Sequence, residues 1–136
     1  MKKLIMLVAL LLPLECLAVE KHIIMGAFSK HTEEGYRDGY EYKEYNENNP
    51  MAAVEINGFV VGEMLNSYYE ETTFVGYHHK ARVFGILVMA SNKYKLSPLP
   101  RVGSLAIGGF LTAQVGPFLI LAVPNNVYAI ALKLKL

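Results

Sequence analysis

The sequence lacks three things that would each open a class of function: a thiol beyond Cys16, a surplus of either charge, and an unbroken apolar run of bilayer-spanning length. Cys16 falls in a stretch that reads as a secretion leader, residues 1–18. It begins with Lys2 and Lys3, continues with an apolar run from Leu4 to Leu14, and ends on Cys16-Leu17-Ala18 as a cleavage site. Cleavage after Ala18 leaves residues 19–136 without cysteine, which excludes an internal disulfide and any cysteine chemistry. The competing lipoprotein reading, with Cys16 lipidated, meets Glu15 where such signals want a small residue.

Losing the leader takes Lys2 and Lys3 from the 13 basic residues and Glu15 from the 12 acidic ones, leaving 11 of each. With no net charge and no basic stripe interleaved with aromatics, a nucleic-acid partner is not expected. The longest uncharged candidate for a membrane helix, Ser104–Val123, is broken by Gly108, Gly109, Gly116 and Pro117.

What is present is short alternation. Tyr128, Ile130, Leu132, Leu134 and Leu136 share one face of an extended segment, and Val127, Ala129, Ala131, Lys133 and Lys135 share the other. Large outside and small or charged inside is the pattern of a membrane barrel wall. With turn residues as dividers, strands are expected near 21–29, 51–57, 58–66, 72–80, 82–91, 103–113, 116–123 and 127–136. The fold expected is therefore all-β, an eight-stranded antiparallel up-and-down transmembrane β-barrel in the outer membrane, a monomer with both termini on the inner side.

Inner turns fall at Asn57-Gly58, near Ala81 and at Val115-Gly116. Outer connections fall at 30–50, 67–71, 92–101 and Pro124–Asn126. Residues 30–47 hold nine charged side chains while 102–132 hold none, so 30–50 reads as a long exposed loop or as a disordered acidic insert. Parity places Glu55 inward with Val54 and Ile56 outward, and Glu63 inward with Val61, Leu65 and Ser67. Phe84–Met89 and Phe118–Val123 are apolar on both faces, which excludes an aqueous pore and suits a packed plug or a hydrocarbon chain in the lumen. His78 and His79 point to opposite faces, so no metal site is expected, and no cofactor.

Five patches then occur in order: His31 with a Tyr-rich acidic loop to Tyr45-Asn46-Glu47; Asn66-Ser67-Tyr68 and Val75-Gly76-Tyr77; Arg82-Val83-Phe84-Gly85; Pro98-Leu99-Pro100 with Gly116-Pro117; and Pro124 with Asn126-Val127-Tyr128. Over nearly the whole mature chain this order resembles the outer-membrane lipid A palmitoyltransferase family. The resemblance implies an acyl chain held in the lumen, phospholipid and lipid A (lipopolysaccharide) as partners, and catalysis by a His, an Asp and a Ser near the outer rim. His31 matches the histidine and Ser67 the serine, but Asn66 stands where the family has aspartate. An ionised Asp supports an imidazolium, whereas Asn offers only neutral hydrogen bonds. The catalytic candidates are thus His31, Ser67 and Asn66. By the same resemblance Pro98, Pro100, Pro117 and Pro124 are candidates for opening a lateral path for lipid, since proline removes a ladder donor. A non-catalytic barrel of this architecture, or a soluble secreted lipid-binding barrel, are the competing functions.

Overall fold

A computed structural model describes residues 19–93 and 99–136; the expected leader, including Cys16, and Pro98 lie outside them. The strands are β1 (Lys21–His31), β2 (Gly35–Asp38), β3 (Glu41–Glu44), β4 (Asn48–Ile56), β5 (Phe59–Leu65), β6 (Glu71–Ala81), β7 (Phe84–Ser91), β8 (Arg101–Val102), β9 (Leu105–Val115), β10 (Phe118–Val123) and β11 (Val127–Lys135). No helix forms among the described residues.

Eight of these strands pair antiparallel in the order β1, β4, β5, β6, β7, β9, β10, β11, and β11 pairs back onto β1. The sheet closes on itself, so the all-β, eight-stranded, up-and-down antiparallel barrel expected from the alternation is the fold of this chain. Closure removes the unpaired edges that an open sheet of this apolarity would expose.

Turn chemistry fixes the end that carries the chain termini. Asn57 and Gly58 both take positive φ, 50° and 87°, between the paired Ile56 and Phe59. That is the two-residue turn whose twist matches antiparallel strands. Gly116, at φ 58°, opens the Gly116-Pro117 turn between the paired Val115 and Phe118. At the opposite end the connections are longer. Residues 30–50 were expected as a long exposed loop or a disordered acidic insert, yet β2 and β3 form a two-stranded hairpin within them. Asp38-Gly39 is the turn signal responsible, with Gly39 at φ 64° between the paired Asp38 and Glu41.

One expected parity is corrected. Glu55 does face the lumen and is 1% exposed, but Glu63 lies on the outer face beside Ala52 and Thr73. The cause is the two-residue turn: it pairs Glu55 with Val60, directly opposed residues point the same way, and Val60, Gly62 and Met64 follow inward. Packing agrees, because a Cβ on Gly62 would meet the Phe74 ring at 2.6 Å and the Ala53 methyl at 2.5 Å.

A second departure from simple alternation lies in β1. His22 and Ile24 face inward, then the register slips between Met25 and Ala27 against both neighbouring strands. Gly26, at φ 56°, is the extra residue of this bulge. The slip turns Ala27, Ser29 and His31 into the lumen, where unbroken alternation from Ile24 would have pointed His31 outward.

The lumen has two parts. In its terminal half Glu55, His78 and Lys133 are buried together, with Thr112 behind His78. In the loop half the wall is Ala27, Met51, Met64, Met89, Leu121 and Ala129 around empty space.

Candidate functional site

The empty half of the lumen is a cavity of about 290 Å³. Ile24, Val60, Phe74, Leu87 and Leu119 form its floor, all 3% exposed or less. Below that floor Lys133 Nζ donates to both Glu55 carboxylate oxygens at 2.7 and 2.6 Å. His78 Nδ1 lies 3.0 Å from Glu55 Oε2, and its Nε2 lies 2.9 Å from Thr112 Oγ1. In the neutral tautomer that carries its proton on Nδ1, the ring donates to the carboxylate and Nε2 accepts from the threonine hydroxyl; Lys133 Nζ lies 3.3 Å from the same Nδ1. The cavity is therefore blind at its terminal end: apolar walls end on an ionic plug, and the loop end opens.

His31 and Ser67 both line the mouth of this cavity. His31 arrives there through the Gly26 bulge, and its ring stacks on Tyr45 with centroids 4.0 Å apart and planes 11° from parallel. His31 Nδ1 is shielded from solvent and has no hydrogen-bond partner. A buried polar atom without a partner is uncommon; His22 Nδ1 is the other among the described residues, but it lies 3.7 Å from Glu55 Oε1 within the plug, whereas His31 lines the open cavity.

Ser67 arrives by a different route. β5 ends at Leu65, and a turn closed by Tyr69 N–H donating to Asn66 O at 3.1 Å carries Ser67 and Tyr68 over the rim. Tyr68 meets Tyr45 edge-on at 5.8 Å, so two tyrosines and His31 frame the opening, and Tyr36 packs edge-on against Tyr68 at 4.7 Å. Burial pushes the Tyr45 phenol up, with the Glu33 carboxylate acting in the same direction, so the hydroxyl stays protonated.

Asn66 is the organiser of that turn. It is fully buried, its Oδ1 accepts from the Tyr68 and Glu70 amides at 2.9 and 3.0 Å, and its Nδ2 donates to Thr72 Oγ1 at 2.8 Å and to Lys93 O at 3.5 Å. Both ends of the amide are committed, and Asn66 does not line the cavity. Two further asparagines tie the same seam: Asn46 Nδ2 donates to Asn66 O, and Asn49 Nδ2 to Leu65 O.

Among the described residues the ladder on one side of β9 is interrupted, with the Leu99 side chain beside Gly108. β9 pairs with β10 from Val115 up to Leu111 and with β8 at Ala106 and Leu105, and Ile107 N–H donates to Pro100 O. Gly108, Gly109 and Phe110 have no ladder partner on this side among the described residues, and all three line the cavity. Pro100 flanks this gap above. Pro124, next after β10, has no N–H with which to carry the ladder across it. Pro117 instead sits in the Gly116-Pro117 turn at the terminal end, where its carbonyl accepts from Lys133 N–H. Pro98 lies outside the described residues. His78 faces in and His79 out.

Four features of the site were missed in the sequence: the Gly26 bulge, the Tyr45 stack, the asparagine ties and Glu33 at the mouth. Only the bulge had a signal, a lone glycine inside an alternating strand. No protein-family model matches the chain, and no curated protein matches it.

Proposed function

We propose that this protein is an outer-membrane barrel that moves a fatty acyl chain, palmitate-like, from a phospholipid to lipid A, with the donor chain in the lumen cavity. The observation that carries the proposal is His31: its unpartnered Nδ1 stands at the mouth of a blind apolar cavity that Ser67 also lines.

Membrane insertion is supported by the outer surface. Phe28, Val75, Ile86, Leu111, Ile120 and Leu132 project outward and are all exposed, and a soluble monomer rarely presents a continuous belt of this kind. β9 has no charged residue over its 11 positions. At roughly 3.3 Å per residue and about 40° of tilt it rises on the order of 25 Å, the height of the apolar band of an outer-membrane barrel.

Acyl transfer needs a base, donors for the developing oxyanion and two positioned substrates. In the proposed reaction His31 takes the proton from an acceptor hydroxyl as that oxygen attacks the ester carbonyl carbon. Ser67 donates its hydroxyl hydrogen bond to the oxyanion. Collapse breaks the ester C–O bond to the lysophospholipid, whose oxygen takes the proton back from the imidazolium. Asn66 serves at one remove, by holding the turn that carries Ser67. Pro100 and Pro124 border the gap through which a donor chain would slip sideways from the membrane.

Incubating the purified protein with phospholipid and lipid A should give lipid A heavier by one acyl chain, and His31→Ala should lower the yield by about 10² to 10⁴. No product from the wild type, or undiminished product from His31→Ala, overturns the proposal. A non-catalytic barrel of the same architecture is the second reading, and one observation favours it: Asn66 offers His31 no carboxylate and has no polar atom to spare. A soluble lipid-binding barrel would be released by carbonate extraction, whereas an integral one stays with the membrane.

A further inference from the structure

We infer that the cavity mouth selects the lipid by its head group: the lumen takes a zwitterionic phospholipid, whose ammonium rests against Glu33 and the tyrosine faces, in preference to an anionic one. This rests on the lumen holding a phospholipid acyl chain.

The charges around the opening are one-sided. Among the described residues that line the cavity, Glu33 alone carries a full charge, and no lysine or arginine reaches it. Of the described cations at this end, Lys30 points outward and pairs with Glu47 at 2.8 Å, Lys43 pairs with Asp38 on the hairpin, and Arg37, Lys93 and Arg101 do not line the cavity. Among the described residues, an anionic head group would meet a carboxylate at the mouth with no cation lining it to offset the charge.

An ammonium meets the opposite situation. Glu33 lines the cavity together with Tyr45 and Tyr68, and its carboxylate helps to push the Tyr45 phenol up. A cation over a tyrosine face gains from the ring quadrupole, and a carboxylate beside the same rings adds direct attraction. The phosphate of a zwitterionic head keeps neutral partners across the opening, where the Asn125 and Asn126 amides line the cavity. Asn125 is held there at φ 59° in the β10–β11 turn. Thr32 fastens that turn to the end of β1 by donating to Asn125 O at 3.0 Å.

The test uses the purified full-length barrel in a neutral detergent and measures its affinity for phosphatidylcholine and phosphatidylglycerol with identical acyl chains by native mass spectrometry. Wild type should bind the choline lipid about tenfold more tightly. Glu33→Gln should bring the ratio to about two or less, and Glu33→Lys should favour the glycerol lipid. Because Glu33 is an exposed loop residue, both variants should keep the strand signature in circular dichroism. Equal affinity of the wild type for the two lipids, or an undiminished ratio in Glu33→Gln, overturns the head-group selection and leaves the lumen as an acyl site. If neither lipid binds, both the head-group selection and the acyl site in the lumen are overturned.

Discussion

The two halves of the lumen are built from the same eight strands with the same alternation, yet one is filled and the other is hollow. In the terminal half the inward positions are His22, Glu55, His78, Lys80 and Lys133, long polar side chains that meet across the bore. In the loop half they are Ala27, Ala129, Gly108 and three methionines, which line the wall without crossing it. A narrow barrel is thus closed by charge pairing and opened by short side chains. The contrast separates what holds the cylinder together from what it offers to a ligand.

The strongest test of that division is to break the plug. Glu55→Ala leaves Lys133 buried without its carboxylate and His78 without its acceptor, a loss of about 3–5 kcal/mol as expected for one member of a buried pair. Urea unfolding in detergent reads the effect. Replacing both partners, Glu55→Leu with Lys133→Met, should restore most of it, because an apolar pair of similar size removes the orphaned charge. If the single variant unfolds like the wild type, the plug is not what secures the terminal half.

Gly26→Val attacks the other half without touching the plug. A β-branched residue resists the positive φ of the bulge, so residue 26 is driven back into the ladder and unbroken alternation from Ile24 turns His31 out of the lumen. Acyl transfer should fall about as far as in His31→Ala, on the order of 10²-fold or more, while the barrel still forms. Retained transfer would show that the bulge does not set the histidine.

Filling the cavity should have a smaller effect, and of opposite character to breaking the plug. Ala129→Leu places a larger side chain into empty space, so stability should change by less than about 1.5 kcal/mol while lipid affinity falls about tenfold. A large loss of stability with unchanged lipid binding would mean that the space is not the ligand's. Of similar size is Asn66→Asp, which replaces the amide donor by a carboxylate facing Lys93 O. The turn should lose about 1–2 kcal/mol. A gain in transfer from this variant would instead show that a carboxylate at 66 reaches His31.

Much of the wall could be read in the sequence because its causes are local. Alternation in β11 placed Lys133 inward and Leu132 outward, and Asn57-Gly58 marked a two-residue turn before any pairing was known. His31 and Ser67 were singled out, and the fold does bring both to one opening. What escaped was the phase carried from one element to the next. Glu63 was assigned inward on its own charge, yet the turn after Glu55 had already committed Val60 to the lumen. The Gly26 slip changes the face of five following residues, which no count of polar and apolar positions reveals without a partner strand. The gap at Gly108–Phe110 depends on where two neighbouring ladders stop, a property of three strands at once.

Methionine methyl groups give the most direct check that an acyl chain enters the lumen. Met51, Met64 and Met89 line the cavity, whereas Met25 projects from the outer face and is 40% exposed. With one equivalent of a phospholipid added to the methyl-labelled protein in a deuterated detergent, nuclear Overhauser contacts from the acyl methylenes should appear at Met51, Met64 and Met89. Contacts at Met25 alone would place the chain outside the barrel and contradict the function proposed here.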